Sequence, residues 1–133
     1  MKSAAEIQEE FVKELEMDTQ MDSTNVMDKM LSSANIKQKW LIRKIRAQRR
    51  LYDLVAVKDG FVNDKLNNDN PLKLSKAVMA AKAGSDPTYR ELQKEIQDQE
   101  LLVEYLDGTV NKVLTQMSYE FRAIVDLMKL EQL

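Results

Sequence analysis

The chain has 133 residues, 20 Lys and Arg against 22 Asp and Glu, and neither Cys nor His, so thiol and imidazole catalysis, disulfides and the usual zinc sites are excluded. Its three glycines, Gly60, Gly84 and Gly108, stand alone and build no phosphate loop, and no carboxylate pair stands out for acid/base work or metal binding. No apolar run approaches eighteen residues and the acidic N-terminus shows no secretory leader, so a single soluble, intracellular domain is expected, without enzyme activity, metal or cofactor.

Few glycines and prolines and a content rich in Ala, Leu, Lys, Glu and Gln predict an all-α protein: two long helices plus short ones. Ile7, Phe11 and Leu15 recur every fourth residue, which predicts an acidic amphipathic helix over roughly residues 4–17. Asp18 to Asn25 then collects side chains that cap helices. A second helix is expected from about residue 24 or 25 to 58, with Met27, Met30, Leu31, Ala34, Leu41, Ile45, Tyr52 and Val55 as its packing stripe. Asp59-Gly60 is read as its end, and Asn67-Asn68-Asp69-Asn70-Pro71 as loop. A short helix over roughly residues 71–83 follows, capped by Asn70 and stopped by Gly84.

Ser85-Asp86-Pro87 supplies a cap and a proline at the first helical position, a start signal for a last helix over about 87–131. Leu92, Ile96, Gln99, Val103, Leu106, Val110, Val113 and Met117 alternate steps of four and three, and Phe121, Ile124 and Met128 continue them. Two steps of four adjoin at Met117, a stutter in the heptad pattern. A helix of about 45 residues is roughly 65 Å long. One chain of this size cannot cover it, and Leu101, Leu102, Tyr105 and Leu114 widen its apolar surface, so a coiled-coil-like association helix is expected. The alternative is a hairpin folded back at Gly108. Residues 1–87 then form a basic binding region and residues 88–133 the oligomerisation helix of one compact domain.

Charge is sorted along the chain. Residues 1–28 hold a net of −6, residues 29–52 a net of +8 with no acidic residue, and the remainder −4. A block of one sign this long faces a polyanion or an acidic protein surface. Lys39, Arg43, Arg46 and Arg50 are spaced four, three and four and fall within about 60° of one another, a row suited to successive phosphates. Lys29, Lys37 and Lys44 occupy another flank, and Arg49 lies nearer the expected packing side. Lys73, Lys76 and Lys82 make a second, weaker patch. Trp40, the only Trp, beside these cations suits a platform for an unpaired base. It equally suits a core or interface residue, and the basic run equally suits a solvated face or the neutralisation of the acidic first helix. A peripheral membrane binder is disfavoured, because no face joins this charge to a wide apolar band.

The acidic opening helix, Asp22-Ser23-Thr24, Lys39-Trp40-Leu41 and Ala47-Gln48-Arg49-Arg50 resemble the UvsY recombination mediators of tailed phages. Leu101-Leu102 through Gly108 to Phe121-Arg122-Ala123-Ile124 is similar to the end of the same family in order and spacing. The resemblance implies a ring-like homo-oligomer, a hexamer or heptamer, that binds single-stranded DNA without sequence preference in the host bacterial cytoplasm. It implies two protein partners: a phage recombinase, and the phage single-strand-binding protein that the recombinase displaces. One element departs from the family pattern: where a Lys-Ala-Arg element linked to DNA contact is expected, this chain has Leu54-Val55-Ala56-Val57-Lys58, and only Lys58 is basic. The alternative without DNA is a helical adaptor or scaffold whose basic helix meets an acidic protein.

Overall fold

The structure, a computed structural model, describes residues 1–22, 24–68 and 70–132. Ser23 and Asp69, assigned above to the capping segment and the 67–71 loop, and Leu133 lie outside the described residues. The described chain is all-α: α1 (Ala4–Thr19), α2 (Val26–Asn68), α3 (Lys76–Ala83), α4 (Pro87–Gly108), a π-helical turn (Thr109–Val113) and α5 (Leu114–Glu131).

Local chemistry sets most of the helix starts. The Ser3 side chain accepts from the Glu6 amide at α1, Ser75 from Val78 at α3, and Asp86 from Thr88 at α4, where Pro87 follows in the first turn. Asp22 accepts from the amides of Thr24 and Asn25 and so organises the turn into α2. Two expected boundaries move. Asp59-Gly60 does not end α2, which continues to Asn68. A glycine inside a helix costs about 1 kcal/mol relative to Ala. Packing of Val62 and Phe61 against Ala83 and Tyr89 offsets that cost. The short helix begins at Lys76 rather than about residue 71, and its cap is Ser75, not Asn70. Asn70 instead exchanges two hydrogen bonds with the backbone of Leu74, closing a turn in which Lys73 takes a positive φ of 54°.

Pairings between α2 and the last helical rod descend one sequence as they ascend the other: Val62 with Tyr89, Ala47 with Gln99, Lys44 with Asp107, Lys37 with Ser118. The rod is therefore antiparallel to α2 along its length. It does not fold back at Gly108, which is helical (φ −61°, ψ −40°). α1 lies in the groove between the two long elements, contributing Leu15, Ile7 and Phe11 to a core that holds Trp40, Leu102, Leu106, Leu114, Met117 and Phe121.

The expected packing stripe of α2 is on the wrong side. Met27, Met30, Leu31, Ala34, Leu41, Ile45 and Tyr52 are exposed and Val55 is half-buried. The buried side is Val26, Ile36, Trp40, Ala47, Leu54 and Val62. Both stripes have helical spacing, and they lie roughly 130° apart on the helix. Periodicity alone does not say which one the chain itself covers.

The last rod also packs differently from the heptad expectation. Ile96, Gln99 and Leu106 are buried and Leu92, Val103 and Val110 half-buried, all against the chain's own helices. After Thr109 the next buried residue is Leu114, a step of five, then Met117 and Phe121. The Leu114 amide donates to the Thr109 carbonyl, five residues back, which is the π-turn bond that accommodates the extra residue. Val113 is thereby turned outward, 38% exposed, while Ile124 and Met128 are half-buried against the core. Ile96, Leu106, Met117 and Phe121 are interior residues of one chain, not the open seam expected of an association helix.

Candidate nucleic-acid interface

The eight basic residues of residues 29–52 divide by what they meet. Lys39 donates to Glu14 (3.0 Å) and to Asp18 (2.5 Å), and Arg43 makes a two-pronged pair with Glu14 at 2.6 and 3.2 Å. This two-pronged geometry is the strong form of an Arg–carboxylate pair. Lys29 donates to the Met17 carbonyl, Lys37 to the Ser118 hydroxyl, and Lys44 pairs with Asp107 at 2.7 Å. Arg46, Arg49 and Arg50 are exposed, and among the described residues they have no ion pair or hydrogen bond.

Trp40 is not a surface platform. It is fully buried, its ring meets Phe11 edge-on at 5.4 Å, and its indole N–H donates to Asp18 at 2.9 Å. Arg43 sits over both rings, 4.6 Å from the centre of Phe11 and 4.9 Å from that of Trp40. The acidic first helix thus caps the upstream half of the basic row with charge and covers the Trp beneath it. Of the readings left open by the sequence, this is internal neutralisation for Lys39 and Arg43, and a core role for Trp40.

The electrostatics follow from these contacts. The Arg43 hydrogen bond holds Glu14 below the ordinary carboxylate value of 4.5, against the opposing effect of burial. Burial pushes Lys39 down, but hydrogen bonds to Asp18 and Glu14 outweigh it and raise it above 10.5. The Lys44 hydrogen bond lowers Asp107. A depressed carboxylate stabilises the fold above its unfolded pKa, and that contribution is lost as pH falls through the folded value. The Lys39 contribution has the opposite sign: it is complete below 10.5 and is lost only as pH rises through the raised value. Acid below about 4.5 is therefore expected to loosen α1. The Trp40 fluorescence should then shift to the red as water reaches the ring. Glu14 is 38% exposed, so solvent screening keeps the effect modest. An identical acid titration of Glu14→Gln would count against this pair as the origin.

Downstream, a cleft of about 730 Å3 opens between the start of α1, α2 and α4. Arg46 and Arg50 line it together with Glu6, Glu95 and Asp98, and with the apolar Phe11 and Leu54. Its charge is mixed, so the cleft is not an anion pocket. Lys58 is half-buried on the side of α2 that carries Leu54 and Val62. Lys73 and Lys76 are exposed at the far end, in the turn before α3 and in its first residue. The expected contacts at Lys37, Lys39, Trp40, Arg43, Lys44, Arg46, Arg49, Arg50, Lys58, Lys73 and Lys76 therefore do not form one surface. The residues missed are Glu14 and Asp18, whose signal was the −6 segment lying next to the +8 segment, and Asp107, which lies far along the chain and had no such signal.

Among the described residues no cluster of three or more His, Cys, Asp or Glu is arranged to hold a metal, and no helix is long and apolar enough to cross a membrane. Comparison with protein-family models, curated proteins and solved structures gives no match.

Proposed function

We propose that this chain is a non-enzymatic recombination mediator. It binds single-stranded DNA as a homo-oligomer and helps load a recombinase onto strands held by a single-strand-binding protein. The observation that carries the reading is the exposed basic group at Arg46, Arg49 and Arg50, three guanidinium groups within about one and a half turns that make no ion pair or hydrogen bond among the described residues. The resemblance of Lys39-Trp40-Leu41 and Ala47-Gln48-Arg49-Arg50 to the UvsY mediators supports it and supplies the two protein partners. The DNA strand runs past Arg46 and Arg50, downstream of the part covered by α1, and is held through phosphates, without reading bases. Several such sites in one oligomer add affinity that a single group of three Arg does not provide.

The test is the salt dependence of binding to a labelled single strand. Arg46→Ala with Arg50→Ala removes charge without harming an exposed helix. If both residues contact phosphate, the slope of log K against log salt should flatten by about 1.4 for each participating subunit. Affinity should fall about equally across base compositions. Lys112→Ala with Arg122→Ala, both exposed on the far rod, serves as the control. A strong effect in the control pair and none at Arg46 and Arg50 would move the interface off α2.

A second reading, a helical adaptor that meets an acidic protein, is favoured by one feature. Five of the eight basic residues already have partners within the chain, which leaves a short basic patch and no continuous phosphate track. Failure to bind any single strand at low salt, with the fold intact, would decide for the adaptor.

A further inference from the structure

We infer that α2 pairs with α2 of a second copy, antiparallel, along the apolar face that its own chain leaves bare. Met27, Leu31, Leu41, Ile45 and Tyr52 are all exposed, Leu31 and Tyr52 by 81% and 70%. With Ala34, Gln38 and Gln48 they follow unbroken steps of four and three, a heptad seam roughly 40 Å long. The side chains that bury α2 inside the chain belong to the other stripe, so among the described residues this seam stays uncovered.

The charges beside the seam choose the occupant and its direction. The flanking positions carry Asp28 and Arg49 on one side and Lys37 and Lys44 on the other. A parallel, in-register pair would leave Asp28 without an opposite charge and set Arg49 against Lys44 of the second copy, which Asp107 of its own chain already holds, so nothing in that arrangement favours pairing. An antiparallel pair centred between Lys39 and Trp40 sets Asp28 against Arg49 of the second copy, twice by symmetry. Lys37 and Lys44 then face each other across the pair, but both are already held in their own chains by Ser118 and Asp107. The same register places the small Ala34 opposite Ile45, Met27 opposite Tyr52, and each Gln beside a Leu at the layer edges. Ala34 leaves room for Ile45, and the one acid beside the seam, Asp28, meets a base.

A face about 40 Å by 10 Å gives on the order of 800 Å2 in total for the pair, below the usual range for a permanent complex. The dimer should accordingly dissociate on dilution. Pairing is isologous, and it sets Arg46 of the two copies on the same side, roughly 20 Å apart along the axis. This deepens the proposed function by naming the contact that makes the DNA surface multivalent, and only that consequence rests on the DNA reading.

The chain has no cysteine, so single thiols report cleanly. Chains carrying Ala34→Cys and Ile45→Cys are mixed and oxidised with diamide, without nucleic acid. In the antiparallel pair the two thiols meet, whereas two copies of position 34 are about 16 Å apart, beyond the roughly 7 Å limit of a disulfide. The mixture is expected to form the mixed disulfide and neither chain alone to cross-link. Ile45→Asp, on a surface position, should keep its circular dichroism and lose the larger species in sedimentation. Self-linkage of the Ala34→Cys chain, an unlinked mixture, or parental mass in Ile45→Asp would each overturn the pairing. DNA binding by a monomeric Ile45→Asp chain leaves the DNA reading standing, so the two failures separate.

Discussion

Replacing Trp40 with alanine is expected to remove about 3–5 kcal/mol of folding stability, a large share of the roughly 5–15 kcal/mol that a domain of this size has in total. The side chain is fully buried, and truncation removes the edge contact with Phe11, the face beneath Arg43 and the indole hydrogen bond to Asp18. The void would lie where α1, α2 and the long rod meet, so α1 should detach first. Urea unfolding followed by circular dichroism measures the loss. A Trp40→Ala chain of parental stability that had lost single-strand affinity would return Trp40 to the surface as a base platform.

Met117→Asp should unfold the protein and Val113→Asp should leave it nearly untouched. Met117 is 1% exposed within the core that holds Leu114 and Phe121. An unpaired carboxylate there costs several kcal/mol or forces the site open to water. Val113, one turn earlier, points to solvent, and substitution at such a position ordinarily stays within about 0.5 kcal/mol. Thermal unfolding of the two variants compares them directly. Equal destabilisation would mean that no residue is looped out before Leu114 and that the helix keeps a regular register. The heptad reading, by contrast, places both residues in one seam and expects the same consequence from either.

How far the sequence could be read varies with the kind of signal. Starts were legible where a cap and a proline coincide: Asp86 and Pro87 open α4 as expected, and the antiparallel rod runs to Glu131 without a break. The end of α2 was not legible at Gly60, because the propensity cost of one glycine is smaller than the packing of Phe61 and Val62 that follows it. The buried face of α2 was not legible because the helix carries two apolar stripes, and neither composition nor spacing distinguishes a core face from an exposed one. Within the site, the spacing of Lys39, Arg43, Arg46 and Arg50 correctly aligned four cations on one side. It could not show that α1 reaches the first two with Glu14 and Asp18, since that depends on a tertiary contact across more than twenty residues. The stutter at Met117 was a true sign of a register change, one turn downstream of where the backbone makes it.

That change has a consequence for how this chain tolerates alteration of its length. Along a regular helix, deleting one residue rotates everything beyond it by 100° and carries the buried side chains out to solvent. Thr109–Val113 is the exception, because the wide turn there already stores one residue more than an α-helix needs. Removing Asn111, which is exposed, would let the turn tighten to the ordinary four-residue bond while Leu114, Met117 and Phe121 kept facing Trp40 and Leu15. The rod therefore has one place where the reading frame of its faces is adjustable, and upstream and downstream halves can each keep their own pattern on either side of it.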